Sequence, residues 1–140
     1  MPSTRFETAS EDETIELGRR IARELPSRAV ILLIGNLGAG KTTLAKGIVE
    51  GLGAVAADEV SSPTFTLIHE YSPRVCHIDL YRLETAAEVA TLGLDELFDR
   101  DAVVLIEWGE RFPEIMPEDR IEIRLEPRGD QGREILVTKP

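Results

Sequence analysis

The 140-residue chain carries 26 acidic against 16 basic residues, a formal charge of -10, and 42% hydrophobic residues. That length suits one domain with a buried core, expected over residues 1–140, while so negative a charge disfavours unaided grip on nucleic acid, which needs cations to neutralise phosphates. Cys76 is the only cysteine, which rules out an intramolecular disulfide. The longest apolar run is too short to cross a bilayer, and residues 1–13 have no signal-like apolar stretch, so a soluble protein of the reducing cytoplasm is expected.

Along the chain, Ser10 and Glu13 have the form of a capping box. Thr14, Leu17, Gly18, Ile21, Ala22 and Leu25 then recur at helical spacing up to Pro26. Residues 28–34 hold an unbroken apolar run that suits a parallel strand covered on both faces. After a glycine-rich turn, residues 43–52 set Leu44, Ile48 and Leu52 on one helical face, with Gly53 as the stop. Residues 64–71 and 74–80 read as two strands joined at Ser72-Pro73, and a short helix is expected over 85–91. Residues 102–106 form a second continuous apolar strand ending on Glu107 and Trp108. Residues 120–126 alternate apolar and charged, and with 133–138 they predict a C-terminal antiparallel hairpin turning at 127–132. The fold class that follows is α/β, a mainly parallel central sheet flanked by helices with that hairpin at its end. Between residues 79 and 120 stand twelve acids and four bases, either a solvated acidic face or a dock for a basic partner.

Gly35-Asn-Leu-Gly-Ala-Gly-Lys-Thr42 satisfies every fixed position of the Walker A pattern, and it sits between an apolar strand and an amphipathic helix as that pattern requires. Glycines let backbone N–H groups turn onto a β-phosphate, and the helix adds the positive end of its dipole. Lys41, read as an exposed loop lysine, reaches the γ-phosphate, and the Thr42 hydroxyl ligates Mg²⁺. An ATP–Mg²⁺ site is the expectation. Asp79 and Glu107 each close an apolar strand, where an acid either holds metal or water beside the phosphates or serves as an ordinary cap or surface group. Thr64, after Ser61-Ser62-Pro63, is either a switch threonine that senses the γ-phosphate or a plain loop residue. His69 and His77 have no nucleophile near them in sequence and receive no role.

Asn36 is the only asparagine and Gln131 the only glutamine, so neither the Asn-Lys-x-Asp base reader of guanine-specific GTPases nor their switch glutamine is available. A small-molecule kinase normally has a lid and an acceptor pocket, and only 33 residues follow Glu107. A kinase and a nucleotide-gated binding module remain as alternatives to an ATPase.

The segments Gly-Asn-Leu-Gly-Ala-Gly-Lys-Thr-Thr at 35–43, Ser-Pro-Thr-Phe-Thr at 62–66, His-Ile-Asp-Leu-Tyr-Arg-Leu at 77–83, Leu-Ile-Glu-Trp at 105–108 and Gly-Arg-Glu at 132–134 closely resemble the TsaE (YjeE) family over nearly the whole chain. The resemblance implies a bacterial ATPase that supports formation of threonylcarbamoyladenosine at position 37 of tRNAs reading codons that begin with A. It implies work with the TsaB–TsaD pair, reset by ATP hydrolysis, with tRNA met only through that complex. Carried onto this chain, it makes Lys41, Asp79 and Glu107 the catalytic candidates and Thr42 and Glu107 the metal ligands. The phosphate loop contributes Gly35, Leu37, Gly38, Ala39, Gly40, Lys41, Thr42 and Thr43. Thr64 joins as part of the first switch, with Trp108 beside the metal. Glu11 and Arg133 approach the nucleotide from outside the loop. One departure stands out, since Gly109 follows Trp108 where the family often has proline.

Overall fold

The computed structural model describes residues 2–140 and opens with a strand that periodicity did not foretell, β1 (Ser3–Thr8). It lies at one edge of the sheet with most of its side chains in solvent, and only Phe6 and Thr8 are half-buried on the inner face, too few to give its sequence a readable alternation. Helix α1 (Glu11–Glu24) begins where Ser10 Oγ accepts the Glu13 N–H at 3.1 Å, while Glu13 Oε1 accepts from Ala9 N–H at 2.9 Å. β2 (Ala29–Ile34) and α2 (Lys41–Gly51) enclose the glycine-rich loop, and Gly53 turns the chain out of α2 at φ 79°.

Strand β3 is Ile68–Ser72, not the expected 64–71. Residues 64–67 are instead a turn, in which Leu67 N–H bonds Pro63 O at 2.7 Å and Leu67 takes the left-handed φ of 70°. β4 (Val75–Asp79) pairs antiparallel with β3. The short helix α3 (Ala86–Ala90) has a full Thr85/Glu88 capping box, and α4 (Leu94–Phe98), which sequence periodicity missed for its single turn, follows it. β5 (Val103–Glu107), β6 (Ile121–Arg128) and β7 (Gly132–Thr138) complete the chain, the last two forming the expected hairpin with Gly129 at φ 71° in its turn.

The seven strands form one sheet in the order β1-β7-β6-β2-β5-β4-β3. The four central strands, β6, β2, β5 and β4, run parallel, and antiparallel strands close both edges. β2 and β5 therefore have apolar side chains on both faces. Ile31, Leu33 and Leu105 meet α1 and α2 on one side. Leu32, Val104 and Ile106 meet Val89, Leu97 and Phe98 from α3 and α4 on the other. Each such side chain contributes about 1.5–3 kcal/mol on burial.

α1 and α2 approach through glycines. A Cβ on Gly47 would stand 1.9 Å from Ile15 O, and one on Gly18 2.5 Å from Leu44 O, both backbone atoms that cannot swing aside. Gly47→Ala is therefore expected to lower stability by about 2–3 kcal/mol despite its better helix propensity, a fall in Tm of roughly 6–12 °C. A thermal melt by circular dichroism checks it; an unchanged midpoint would mean that the helices are not locked at this contact.

Candidate functional site

The site assembles at the carboxyl ends of the parallel strands, where ligands of open α/β sheets sit. β5 lies between β2 and β4, so the loop after β2 and the last residues of β4 and β5 face one another. Asp79 and Glu107 stand opposite each other in the β4/β5 register, and they are only 2% and 3% exposed. An open cleft of about 450 Å³ spans this end, with Gly38, Gly40, Lys41, Thr42 and Thr43 on one side and Thr64, Asp79, Glu107 and Trp108 across from them. Leu37, Glu11 and Arg133 complete the wall, the last two from α1 and β7, far away in sequence. Gly35 and Ala39 do not line the cleft. Ala39 is buried in the core, and a Cβ on Gly35 would meet Leu125 O at 2.8 Å, so both shape the loop from behind.

Gly38 and Gly40 hold φ of 79° and 100°, which side-chain-bearing residues adopt only at a cost, and this turns the loop into the start of α2. No side chain caps that helix, so its first N–H groups and dipole are offered to an anion. Lys41 is not exposed as expected but 5% accessible. Its ammonium donates to Gly35 O at 2.7 Å and lies 3.5 Å from the Trp108 ring centroid. Burial pushes its pKa down, with the carboxylates of Glu107, Glu110 and Asp79 partly opposing that shift. Burial likewise pushes the Glu110 carboxyl up, partly offset by its own backbone N–H and by Lys41. Trp108 itself has φ 68°, backbone strain at the cleft mouth that only a structured site would hold. Gly109 suits that turn, because a Cβ there would stand 2.9–3.0 Å from Met116 Sδ, Ile106 and Leu32.

Thr42 Oγ1 donates to Glu107 Oε2 at 3.3 Å, bringing together the two expected metal ligands. A hydroxyl, a carboxylate and the uncapped helix start form a hard-oxygen, anion-attracting set that fits a nucleotide with magnesium, an ion that keeps waters and takes few protein ligands. Asp79 has other business. Its Oδ2 accepts Ser62 Oγ at 2.6 Å and Thr64 Oγ1 at 3.0 Å, and its Oδ1 accepts Tyr81 N–H at 2.9 Å. Arg133 Nη2 donates to Gly38 O at 3.2 Å, clamping the loop from the hairpin.

Sequence reasoning missed three participants. Ser62 was visible as a neighbour of Thr64, and Tyr81, whose ring meets Trp108 at 5.2 Å, as a residue two beyond Asp79. His77, to which no role was given, is fully buried with Nε2 2.6 Å from Glu107 Oε2, a contact between strands that carries no local sequence signal.

Strand, glycine-rich loop, uncapped helix and two strand-end acids define a P-loop NTPase-like protein. Residues 8–135 match the family model described as threonylcarbamoyl adenosine biosynthesis protein TsaE. The chain is 40% identical to the tRNA threonylcarbamoyladenosine biosynthesis protein TsaE of Bacillus subtilis, over 99% of this chain and 87% of that one. It is 39% identical to the protein so named from Streptomyces coelicolor, over 88% of each. The crystal structure of Bacillus subtilis YdiB superposes with a TM-score of 0.79 at 34% identity, covering 99% of this chain and 86% of that chain. The chain belongs to the TsaE family. Among the described residues, no helix is long and apolar enough to cross a membrane.

Proposed function

We propose that this protein binds ATP with Mg²⁺ in the cleft and hydrolyses it, and that hydrolysis resets a TsaB–TsaD complex that places threonylcarbamoyl on adenosine 37 of tRNA. The meeting of the Thr42 hydroxyl and the Glu107 carboxylate at the uncapped start of α2 carries the reading. Thr42 and Glu107 hold the metal, and Lys41 leaves Gly35 O to meet the γ-phosphate. Magnesium held there would supply positive charge to offset that of the phosphates. Asp79 tethers the Ser62–Thr64 segment, so that the loop's threonine stands ready beside the phosphates. The kinase alternative loses support because the residues after Glu107 are spent on β6, β7 and their connections, not on a lid over the cleft. The acidic surface agrees with docking on a modifying complex in the cytoplasm that itself holds the tRNA.

The reading is tested by ATP hydrolysis with and without the TsaB–TsaD pair, alongside tRNA modification at limiting and at excess protein. Stimulated hydrolysis, with modification limited to one round when hydrolysis is blocked, is the expected result. Full multiple-turnover modification without ATP would overturn it.

Trp108 gives a direct report of occupancy. Its ring carries the Lys41 ammonium at 3.5 Å, so a nucleotide that draws Lys41 toward phosphate alters the indole's surroundings. Titrating ATP–Mg²⁺ is expected to change its emission along the binding isotherm, and this is the only tryptophan in the chain. An unchanged spectrum at saturation, with binding shown by calorimetry, would remove Trp108 from the site.

A further inference from the structure

Lys41, His77, Asp79 and Glu107 are the buried side chains among the described residues that carry a charge or an imidazole, and of these only His77 has no part in the proposed nucleotide and metal site. It stands on β4 two residues before Asp79, hence on the same face of the sheet. The β4/β5 register sets Asp79 opposite Glu107 and His77 opposite Leu105, so Glu107 reaches back along the sheet to the imidazole. A carboxylate oxygen accepts, which assigns a hydrogen to Nε2, while Nδ1 has no partner. Tyr71 covers the ring, with centroids 6.4 Å apart, and its own hydroxyl is spent on Ser61 O and His69 Nδ1.

A polar ring buried with half its hydrogen-bonding capacity unused costs stability, and an apolar side chain would pack there without that cost. What the histidine supplies is a hold on one carboxylate oxygen. Glu107 Oε2 receives both His77 Nε2 and Thr42 Oγ1, whereas Oε1 makes no hydrogen bond among the described residues and belongs to a residue lining the cleft. Two donors on one oxygen fix the carboxylate's rotation and keep the other oxygen available.

We propose that His77 is a positioning residue for Glu107, orienting the carboxylate toward the metal that accompanies the nucleotide. The inference rests on the reading of Glu107 as a metal ligand. Partners that orient a ligating carboxylate are typically worth about 10–100-fold in metal affinity. Electron paramagnetic resonance titration of Mn²⁺ into the protein saturated with ADP measures that affinity without any turnover. His77→Leu is expected to weaken Mn²⁺ by about 10–100-fold while ADP affinity in the absence of metal stays at the wild-type value. His77→Gln, whose amide nitrogen reaches near the Nε2 position, is expected to restore most of the loss.

Wild-type Mn²⁺ affinity in a folded His77→Leu protein would overturn the proposal, as would equal losses of Mn²⁺ and of metal-free ADP binding, which mark a merely structural role. Should His77→Leu not fold, the wild-type protein still decides, because Mn²⁺ bound with ADP must broaden the His77 ring resonances strongly. Sharp ring signals at Mn²⁺ saturation would put the metal away from Glu107 and overturn both the ligand assignment and the proposal that rests on it. A wild-type protein that binds ADP but never Mn²⁺ would likewise overturn the assignment of Glu107, whereas wild-type Mn²⁺ affinity in a folded His77→Leu protein overturns the positioning role alone, so the two failures are distinct.

Discussion

Glu107→Gln is expected to slow partner-stimulated ATP hydrolysis by about 10²–10⁴-fold while ATP binding changes little. The structure explains why this substitution isolates the charge. Glutamine keeps the length of the side chain, and its single oxygen can take the place of Oε2, accepting from both His77 and Thr42. The amide nitrogen then replaces Oε1 and cannot ligate a cation. Packing around β5 survives, and what disappears is an interaction that matters most as charge develops in the transition state. Asp79→Asn is a second arm with a different cause. Asparagine can give its oxygen to the Tyr81 N–H and its NH₂ to the hydroxyls of Ser62 and Thr64, which reverse their roles, so the loop stays tied but less firmly. Hydrolysis is expected to fall there as well. Multiple-turnover tRNA modification should fall with hydrolysis in both variants, and the first turnover should persist. Unchanged rates in both would overturn the parts given to Glu107 and Asp79 in hydrolysis, and loss of the first turnover would overturn the resetting role.

Lys41→Ala is expected to remove measurable ATP and ADP binding, a loss of at least about 100-fold, since hydrogen bonds to charged groups contribute about 1.5–3 kcal/mol each and in the proposed site this ammonium would meet more than one phosphate oxygen. The fold should tolerate the change. Burial depresses the Lys41 pKa, so the folded state gains nothing from holding the charge there, and its partners are a loop carbonyl and the Trp108 face. Lys41→Met, which keeps the stem against Trp108, is expected to leave the melting temperature unchanged or raise it, with binding lost all the same. Calorimetric titration beside a thermal melt separates the two effects. Wild-type affinity in either variant would overturn the phosphate-loop assignment, and unfolding in both would show that Lys41 is chiefly structural.

Residues 29–42 carried their own meaning. An apolar strand, glycines at 38 and 40 where φ is positive, and a lysine-threonine pair opening a helix are local features, set by sterics and periodicity within a few residues. The same holds for the strand that ends on Glu107 and for the C-terminal hairpin. Tertiary structure alone decided the rest. β1 is a strand because β7 offers it an edge, not because its own pattern demands one. Arg133 and Glu11 reach the cleft because the hairpin and α1 fold beside the loop, and Lys41 is buried because Trp108, 67 positions on, lies over its ammonium. His77 looked idle in the sequence, because the oxygen it holds lies 30 residues away. Periodicity reports which face of an element is buried, but which polar groups meet on that face depends on strand order and register, and those are properties of the assembled sheet.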